Sequence, residues 1–404
     1  MNITKYKGLN TERHNVEHVD FPYTWECEGA EMRGGAQKVI FFGNDFRNLP
    51  YADLAEYARL TNLCLQYVRE HCGGLSLYYK PHPSETDEPT MLNLTGFKLI
   101  QERNNAEIFL YQHRHEIKYV FSASSWASAA AFSFGISSYT FLEIFRSCMG
   151  DISTDFYRKL YFYELPESFF IDSLEHVFIE NACIQTLAQV PESFHRILER
   201  KPKTIWFIMS DISFSATAVA LAAQIKKENP SQRLALVISK HLRWNLIDVD
   251  FLTSHFNEVI TLPRFFYSLR PLRLFRTIAL ALQIRKIKTD PSDIIFGFSG
   301  FELVENAFIS YHSRNYCVSF LNSRDLAIYY ETDRYPFFSE HTFHWSKASL
   351  FHNKILEPIL GLNRTLFVEN TEQNILILVR YQKPVNEIYN HVYLLTMPAT
   401  PKCK

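Results

Sequence analysis

The chain has 404 residues, of which 47% are apolar and 21% are charged. This composition is typical of a globular protein of two or three domains and excludes disordered, collagen-like and low-complexity proteins. Its 42 basic and 43 acidic residues nearly cancel, so no overall positive field exists to attract DNA or RNA. No apolar run reaches the ~18–20 residues that span a bilayer, and the start of the chain lacks the apolar core of a signal peptide, so we expect a cytoplasmic protein.

The first half of the sequence predicts a βαβ unit. Residues 1–37 are polar and show no sustained period, so they are predicted to form an irregular arm. A strand is predicted at 38–43, a helix with apolar residues at a 3.6-residue period at 51–71, and a strand at 75–80. This spacing favours a parallel sheet that binds ligands at the carboxyl ends of its strands. Further strands are predicted at 97–101 and 119–122.

A second α/β series follows a proline-bearing linker at residues 191–203. It begins with a predicted strand at 204–209, an alanine-rich helix at 215–228 and a strand at 233–238. Further strands are predicted at 258–261, 293–297 and 327–330. The sequence therefore predicts an α/β protein of two Rossmann-like domains, which cover residues 38–190 and 204–404.

Polar residues follow the second predicted strand, in the sequence YYKPHPSE. Lys80, His82 and Ser84 lie where a parallel strand ends, and the prolines beside the histidine restrict its backbone. An imidazole there could donate a hydrogen bond to a phosphate oxygen and stabilise a phosphate that leaves as an anion. The alternative is a turn histidine without a functional role.

A serine-rich segment, VFSASSWAS, follows a later strand of the same domain. Ser124 and Ser125 are predicted at the N-cap of a helix, where hydroxyls and backbone N–H groups can bind an anion, although serine also caps helices for structural reasons alone. Because this pair and His82 both follow strands of one parallel sheet, we expect them at the edge where a nucleotide phosphate would lie.

Two carboxylates, Glu331 and Asp333, follow the last predicted strand and lie on the same side of an extended chain. One of them could be the general base for an acceptor hydroxyl, and the alternative is a solvated loop. Arg334 beside Asp333 disfavours a divalent cation, and no zinc-type spacing is present, so no metal site is predicted.

A basic stretch without acidic residues runs from residue 259 to 288. Clustered bases beside aromatic residues suit an anionic membrane surface or a polyanionic polymer. The structural alternative is a core-facing amphipathic helix with a solvated basic rim. RNA is less favoured, because no RNA-binding module pattern accompanies the bases. The bases are Arg264, Arg270, Arg273, Arg276, Arg285, Lys286 and Lys288.

The motifs of the first domain resemble those of a known family. The glycine-ended strand at 38–43, the His82-Pro83 dipeptide, the acidic segment at 102–107 and the Ser124-Ser125 pair resemble the nucleotide-binding domain of bacterial lipooligosaccharide sialyltransferases and polysialyltransferases. Related motifs occur in capsule Kdo transferases. The resemblance implies that these histidine–proline and serine residues contact a CMP-activated sugar. The donor-binding residues are predicted as Gly43, Lys80, His82, Pro83, Ser84, Ser124 and Ser125.

Residues 204–334 resemble the acceptor domain of the same family. That domain comes first in the family, so this chain has the two domains in reversed order. The family's acidic loop is usually two carboxylates followed by glycine, whereas this chain has Glu331-Thr332-Asp333-Arg334. Either Glu331 or Asp333 is therefore the expected base.

The resemblance implies a permuted GT-B arrangement and a transferase that moves sialic acid, or with less support Kdo, from a CMP donor to a glycan hydroxyl. The expected role is in surface polysaccharide or lipooligosaccharide synthesis, with peripheral attachment to the inner face of the cytoplasmic membrane. No metal is expected to be required, because a departing monophosphate needs less charge compensation than a diphosphate. Two alternatives are a non-catalytic scaffold for glycan assembly with a degenerate GT-B fold, and a transferase that uses a nucleoside-diphosphate sugar.

Overall fold

A computed structural model describes most of the chain. The described residues are 16–25, 37–44, 53–82, 85, 91–102, 104–158, 162, 165–180, 189–209, 214–239, 249–263, 270–298, 303–322, 355–362, 364–370, 375–381 and 390–396. They form two compact units. The N-terminal unit lies within Tyr23–Gln189, and the C-terminal unit combines Val190–Thr396 with the strand β1 (Val16–Asp20).

The N-terminal unit contains a parallel sheet of five strands. The strands are β2 (Lys38–Phe42), β3 (Ser76–Lys80), β4 (Lys98–Leu99), β5 (Ile117–Ser122) and β6 (Ser137–Thr140). Their order across the sheet is β4-β3-β2-β5-β6, and all pairs are parallel. In chain order this is 3-2-1-4-5, the order of a Rossmann-like sheet, and the direction of winding changes between β2 and β5.

The N-terminal unit has five described α-helices, of which the first three begin at capping side chains. They are α1 (Leu54–Cys72), α2 (Ala106–His113), α3 (Trp126–Ser133), α4 (Arg146–Met149) and α5 (Asp151–Phe156). Asp53 Oδ1 accepts the N–H of Ala55 at 2.9 Å, which caps the start of α1. The core is rich in aromatic side chains, and the ring of Phe41 stacks between those of Tyr79 and Phe141.

The C-terminal unit contains a parallel sheet of seven strands. In addition to β1, they are β7 (Thr204–Met209), β8 (Arg233–Ser239), β9 (Glu258–Leu262), β10 (Ile294–Gly297), β11 (Tyr316–Asn322) and β14 (His391–Thr396). Their order is β1-β14-β11-β10-β7-β8-β9. When β1 is left out and the other six strands are numbered in chain order, the order read from β9 is 3-2-1-4-5-6, which is also a Rossmann order. A separate antiparallel pair consists of β12 (Arg364–Asn370) and β13 (Ile375–Tyr381).

The described helices of this unit are α6 (Glu192–Leu198), α7 (Ser215–Glu228), α8 (Val249–Ser254), α9 (Pro271–Lys286), α10 (Leu303–Tyr311) and α11 (Glu357–Ile359). In the part of the chain that the structure describes, no helix is both long and apolar enough to cross a bilayer. The predicted α/β class with parallel sheets is confirmed, and both strand orders are compatible with Rossmann-like domains.

The prediction of an irregular arm at residues 1–37 is wrong for β1. This strand pairs with β14 from Val16↔Val392 to Asp20↔Thr396. The sequence of β1, VEHVD, has only two apolar residues, so no local pattern predicts it. Contacts to residues remote in sequence hold it in place, since Glu17 Oε2 accepts a hydrogen bond from Ser193 Oγ.

The other differences concern short segments. The expected linker at 191–203 contains α6, which begins directly after Pro191, a residue that suits the start of a helix. The strand predicted at 97–101 is reduced to Lys98–Leu99. The strand predicted at 327–330 lies outside the described residues, whereas β11 was not predicted from the sequence.

Candidate functional site

The polar residues predicted in the N-terminal half lie at one edge of the five-stranded sheet. Phe42 is paired with Lys80 on one side and with Ser122 on the other, so β2, β3 and β5 end in line. The segments that follow them therefore leave the sheet side by side. Between β2 and β5 the winding changes direction, and in open α/β sheets this is the position where ligands bind.

Gly43 brings the end of β2 close to the histidine segment that follows β3. Its backbone N–H donates to Lys80 O at 2.9 Å. A Cβ at this position would lie 3.0 Å from His82 N, 2.5 Å from Glu85 Oε1 and 2.6 Å from Tyr79 Oη. A larger residue would therefore displace these groups, and glycine allows the two strand ends to approach each other.

Tyr79 and Glu85 fix the turn that contains His82. The Tyr79 hydroxyl lies 3.1 Å and 3.2 Å from the two carboxylate oxygens of Glu85, and Glu85 N–H donates to His82 O at 2.9 Å. Burial raises the pKa of the Tyr79 phenol well above its usual range, and the negative charge of Glu85 adds to this effect. The phenol therefore remains protonated and can donate to the carboxylate.

Asn44 connects the same strand end to the serine segment. Its Nδ2 donates to Ser124 Oγ at 2.5 Å and to the hydroxyl of Tyr57, on α1, at 3.0 Å. Ser124 and Tyr57 are both buried, and burial raises the pKa of the Tyr57 phenol. Gly43 and Asn44, which are adjacent in sequence, thus contact the His82 segment and Ser124 respectively.

Ser125 has the structural role that was the alternative to ligand binding. It is the N-cap of α3, and its Oγ accepts the N–H of Ala127 at 3.3 Å. Its own N–H donates to Ser122 Oγ at 3.2 Å, and Ser128 Oγ donates to Ser125 O at 2.9 Å. A hydroxyl that accepts one hydrogen bond retains its own hydrogen, so Ser125 can still donate to an anion, whereas the Ser124 hydroxyl also contacts the Tyr57 hydroxyl.

Lys80 is held within the protein core. Its Nζ donates to Glu102 O at 2.8 Å and lies 5.2 Å from the centre of the Phe109 ring. The residue is 6% exposed, and burial lowers the pKa of its ammonium group to about 8, although the nearby carboxylate of Glu102 acts in the opposite direction. These contacts give Lys80 a structural role, and its predicted contact with a donor remains a prediction.

The lowered pKa of Lys80 predicts a pH-dependent contribution to stability. Between about pH 8 and 10.5 the unfolded chain binds this proton and the folded chain does not, so stability rises with pH. Relative to Lys80→Met, which cannot titrate, the wild type is expected to gain at most about 3 kcal/mol over this interval. Thermal unfolding of both proteins at the two pH values measures the effect. A difference that does not change with pH would contradict it.

Several other predicted site residues lie outside the described part of the chain. They are Pro83, Ser84, Arg264, Glu331 and Asp333. In the C-terminal unit the winding changes between β7 and β10, and the described residues there include one buried acid. Glu305, on α10, accepts the N–H of Phe298, just beyond β10, through Oε2 at 3.0 Å. This carboxylate fixes the backbone at the carboxyl end of β10.

Sequence reasoning missed Asn44, Tyr57 and Glu85. Asn44 could have been found, because it directly follows a strand that ends in glycine, the same rule that singled out His82 and Ser124. Tyr57 lies within an amphipathic helix pattern, where it reads as a core residue. Glu85 is part of the quoted YYKPHPSE motif, but its role depends on the position of Tyr79 and Gly43 in space.

A cavity of about 500 Å³ lies in the C-terminal unit, at the opposite edge of its sheet. Its lining residues come just before β7, β10, β11 and β14, at the amino ends of these strands. They include Arg200, Ser292, Arg314 and Asn390. Ligands of open α/β sheets bind at the carboxyl ends, so this cavity does not lie at the edge where the seven-stranded sheet is expected to bind a ligand. Among the described residues, no three His, Cys, Asp or Glu side chains form a group that could hold a metal ion, and metal independence remains a prediction.

No family model matches this chain, and no curated protein matches it. One similar solved structure is CobK precorrin-6A reductase, at 9% identity and a TM-score of 0.19, with 74% of this chain and 97% of that chain covered. Another is UDP-GlcNAc 2-epimerase from Neisseria meningitidis bound to UDP-GlcNAc, at 12% identity and a TM-score of 0.20, with 80% of this chain and 99% of that chain covered. At TM-scores this low, neither similarity carries an argument about fold or function.

Proposed function

We propose that this protein is a metal-independent glycosyltransferase that moves an acidic sugar from a CMP-activated donor to a glycan hydroxyl. The sugar is sialic acid in preference to Kdo, and the product belongs to a surface polysaccharide or lipooligosaccharide. The observation that carries this proposal is the contact of Gly43 and Asn44 with two motifs at one sheet edge. Gly43 lies against the His82 segment, and Asn44 binds Ser124.

The chemistry of this edge suits a monophosphate leaving group. In the proposed reaction the acceptor oxygen bonds to the anomeric carbon, and the bond from that carbon to the phosphate oxygen breaks. The electron pair of the broken bond leaves with CMP, and the acceptor proton passes to Glu331 or Asp333. His82 and the hydroxyls of Ser124 and Ser125 supply donors to the phosphate, which would stabilise its growing negative charge.

The presence of two Rossmann-ordered sheets in one chain supports a transferase with a donor unit and an acceptor unit. The N-terminal sheet carries the candidate phosphate site. Under this proposal the C-terminal unit binds the acceptor glycan, and the segment with Glu331 and Asp333, which comes after β11 in the chain, provides the base. The GT-B arrangement of the two units is part of the proposal.

A thermal-shift screen with CMP, CDP, UDP and GDP tests the nucleotide class. A ligand that binds only the folded state raises the unfolding midpoint, and CMP is expected to raise it most. A larger shift with UDP or GDP would favour a nucleoside-diphosphate sugar donor instead. The absence of a shift with all four nucleotides would favour the scaffold alternative and contradict the proposal.

A further inference from the structure

One face of helix α9 is packed and the opposite face is not. The packed face carries Thr277, Leu280, Ala281 and Ile284, which are all buried. The basic stretch therefore does contain a core-facing amphipathic helix, as the structural interpretation of the sequence predicts. That interpretation does not account for the apolar residues on the other side of the helix.

The outer face of α9 is apolar as well as basic. Leu272, Phe275 and Leu282 are exposed by 68%, 70% and 47%. Together with Ala279 and Lys286 they recur every three or four residues, so they form a stripe along the helix. Phe275 is the most exposed of these three side chains. An exposed apolar stripe on a helix indicates a surface that contacts another phase or molecule.

The charged residues around this stripe are all basic. The described bases are Arg270, Arg273, Arg276, Arg285, Lys286 and Lys288, and all are exposed. No acidic residue occurs between residues 259 and 289. Within the described residues, no ion pair involves Arg276, which lies beside the stripe, or Lys286, which lies at its C-terminal end. The surface is therefore suited to an anionic partner.

We propose that the outer face of α9 binds an anionic lipid surface, with Leu272 and Phe275 in the headgroup layer and Arg276 and Lys286 beside the lipid phosphates. A dissolved polyanion would match the bases but would offer no apolar environment to Leu272 and Phe275. A second copy of the chain would place two basic stretches against each other, which is unfavourable. This inference does not depend on the proposed sugar transfer.

Vesicle co-sedimentation of the full chain tests the proposal. Binding to phosphatidylglycerol vesicles should exceed binding to phosphatidylcholine vesicles at about 0.01 M salt and should fall strongly at about 1 M, where the Debye length decreases from ~30 Å to ~3 Å. The double variant Arg276→Gln/Lys286→Gln is expected to lower the partition coefficient by about thirtyfold. Phe275→Ser is expected to lower it several-fold.

Matched controls distinguish this surface from general effects. Arg200→Gln/Arg314→Gln removes the same charge from another exposed part of the unit, and Ile359→Ser removes an apolar residue that is 75% exposed. Both controls should bind vesicles like the wild type. Three results would overturn the proposal: equal binding to the two lipids, an equal loss in the charge control, or no effect of Phe275→Ser. If Phe275→Ser changes the oligomeric state of the protein and leaves vesicle binding unchanged, the partner of this face is a second copy of the chain.

Discussion

Replacing the proposed catalytic base, by Glu331→Gln or Asp333→Asn, is expected to slow the proposed sugar transfer by about 10²–10⁴-fold. Both substitutions keep the shape of the side chain and remove its charge, so the acceptor hydroxyl loses its proton acceptor. The substitution at the residue that is not the base should have a much smaller effect. Release of CMP from a CMP-sugar in the presence of a glycan acceptor measures the rate.

CMP binding separates a catalytic effect from a structural one. In the proposed reaction the base acts on the acceptor, so the affinity for CMP should be unchanged in both variants. Glu340→Gln, a carboxylate of the same region that does not follow a predicted strand, serves as the matched control and should retain full activity. Full activity in both Glu331→Gln and Asp333→Asn would mean that the base lies elsewhere.

Removing the imidazole at the strand end, by His82→Ala, is expected to weaken CMP binding by about tenfold to a hundredfold. A hydrogen bond to a charged group contributes about 1.5–3 kcal/mol, which corresponds to this change in affinity. Turnover should fall as well, because the same group would stabilise the leaving phosphate. Titration calorimetry with CMP measures the affinity.

A second histidine in the same unit provides the control. His71 lies in the last turn of α1, and its Nδ1 lies 2.9 Å from Tyr67 O. The helix runs back from the carboxyl edge of the sheet, so His71 is at the other edge, and His71→Ala should leave CMP binding unchanged. Unchanged affinity in a folded His82→Ala protein would exclude the assignment of His82 to the phosphate site.

The parts of the fold that follow local patterns could be predicted from the sequence. The run KVIFF marks β2 because a strand inside a parallel sheet is buried on both faces, and the apolar period of α1 marks a helix. The strand β1 could not be predicted, since its partner β14 lies more than 370 residues later in the chain and provides the pairing that its own short sequence does not signal.

The candidate site also contains residues that local patterns predict and contacts that only the folded chain creates. Pattern rules identified His82, Ser124 and Ser125, because they depend only on which residues follow strands. The same rules predicted that Lys80 contacts the ligand. Its side chain instead donates to Glu102 O, a contact that depends on the path of a later segment. The bridge from Asn44 to Ser124 likewise depends on β2 and β5 being neighbours in the sheet, although 74 residues separate the end of β2 from the start of β5 in sequence.

A crystal structure of the full chain with CMP tests the central claim most directly. We expect the phosphate at the carboxyl edge of the five-stranded sheet, within hydrogen-bond distance of His82 and of at least one hydroxyl of Ser124 and Ser125. The cytidine should lie along the edge between β2 and β5, where the winding of the sheet changes direction. CMP bound to the seven-stranded sheet, or in the cavity beside Arg200 and Arg314, would contradict the assignment of the donor site.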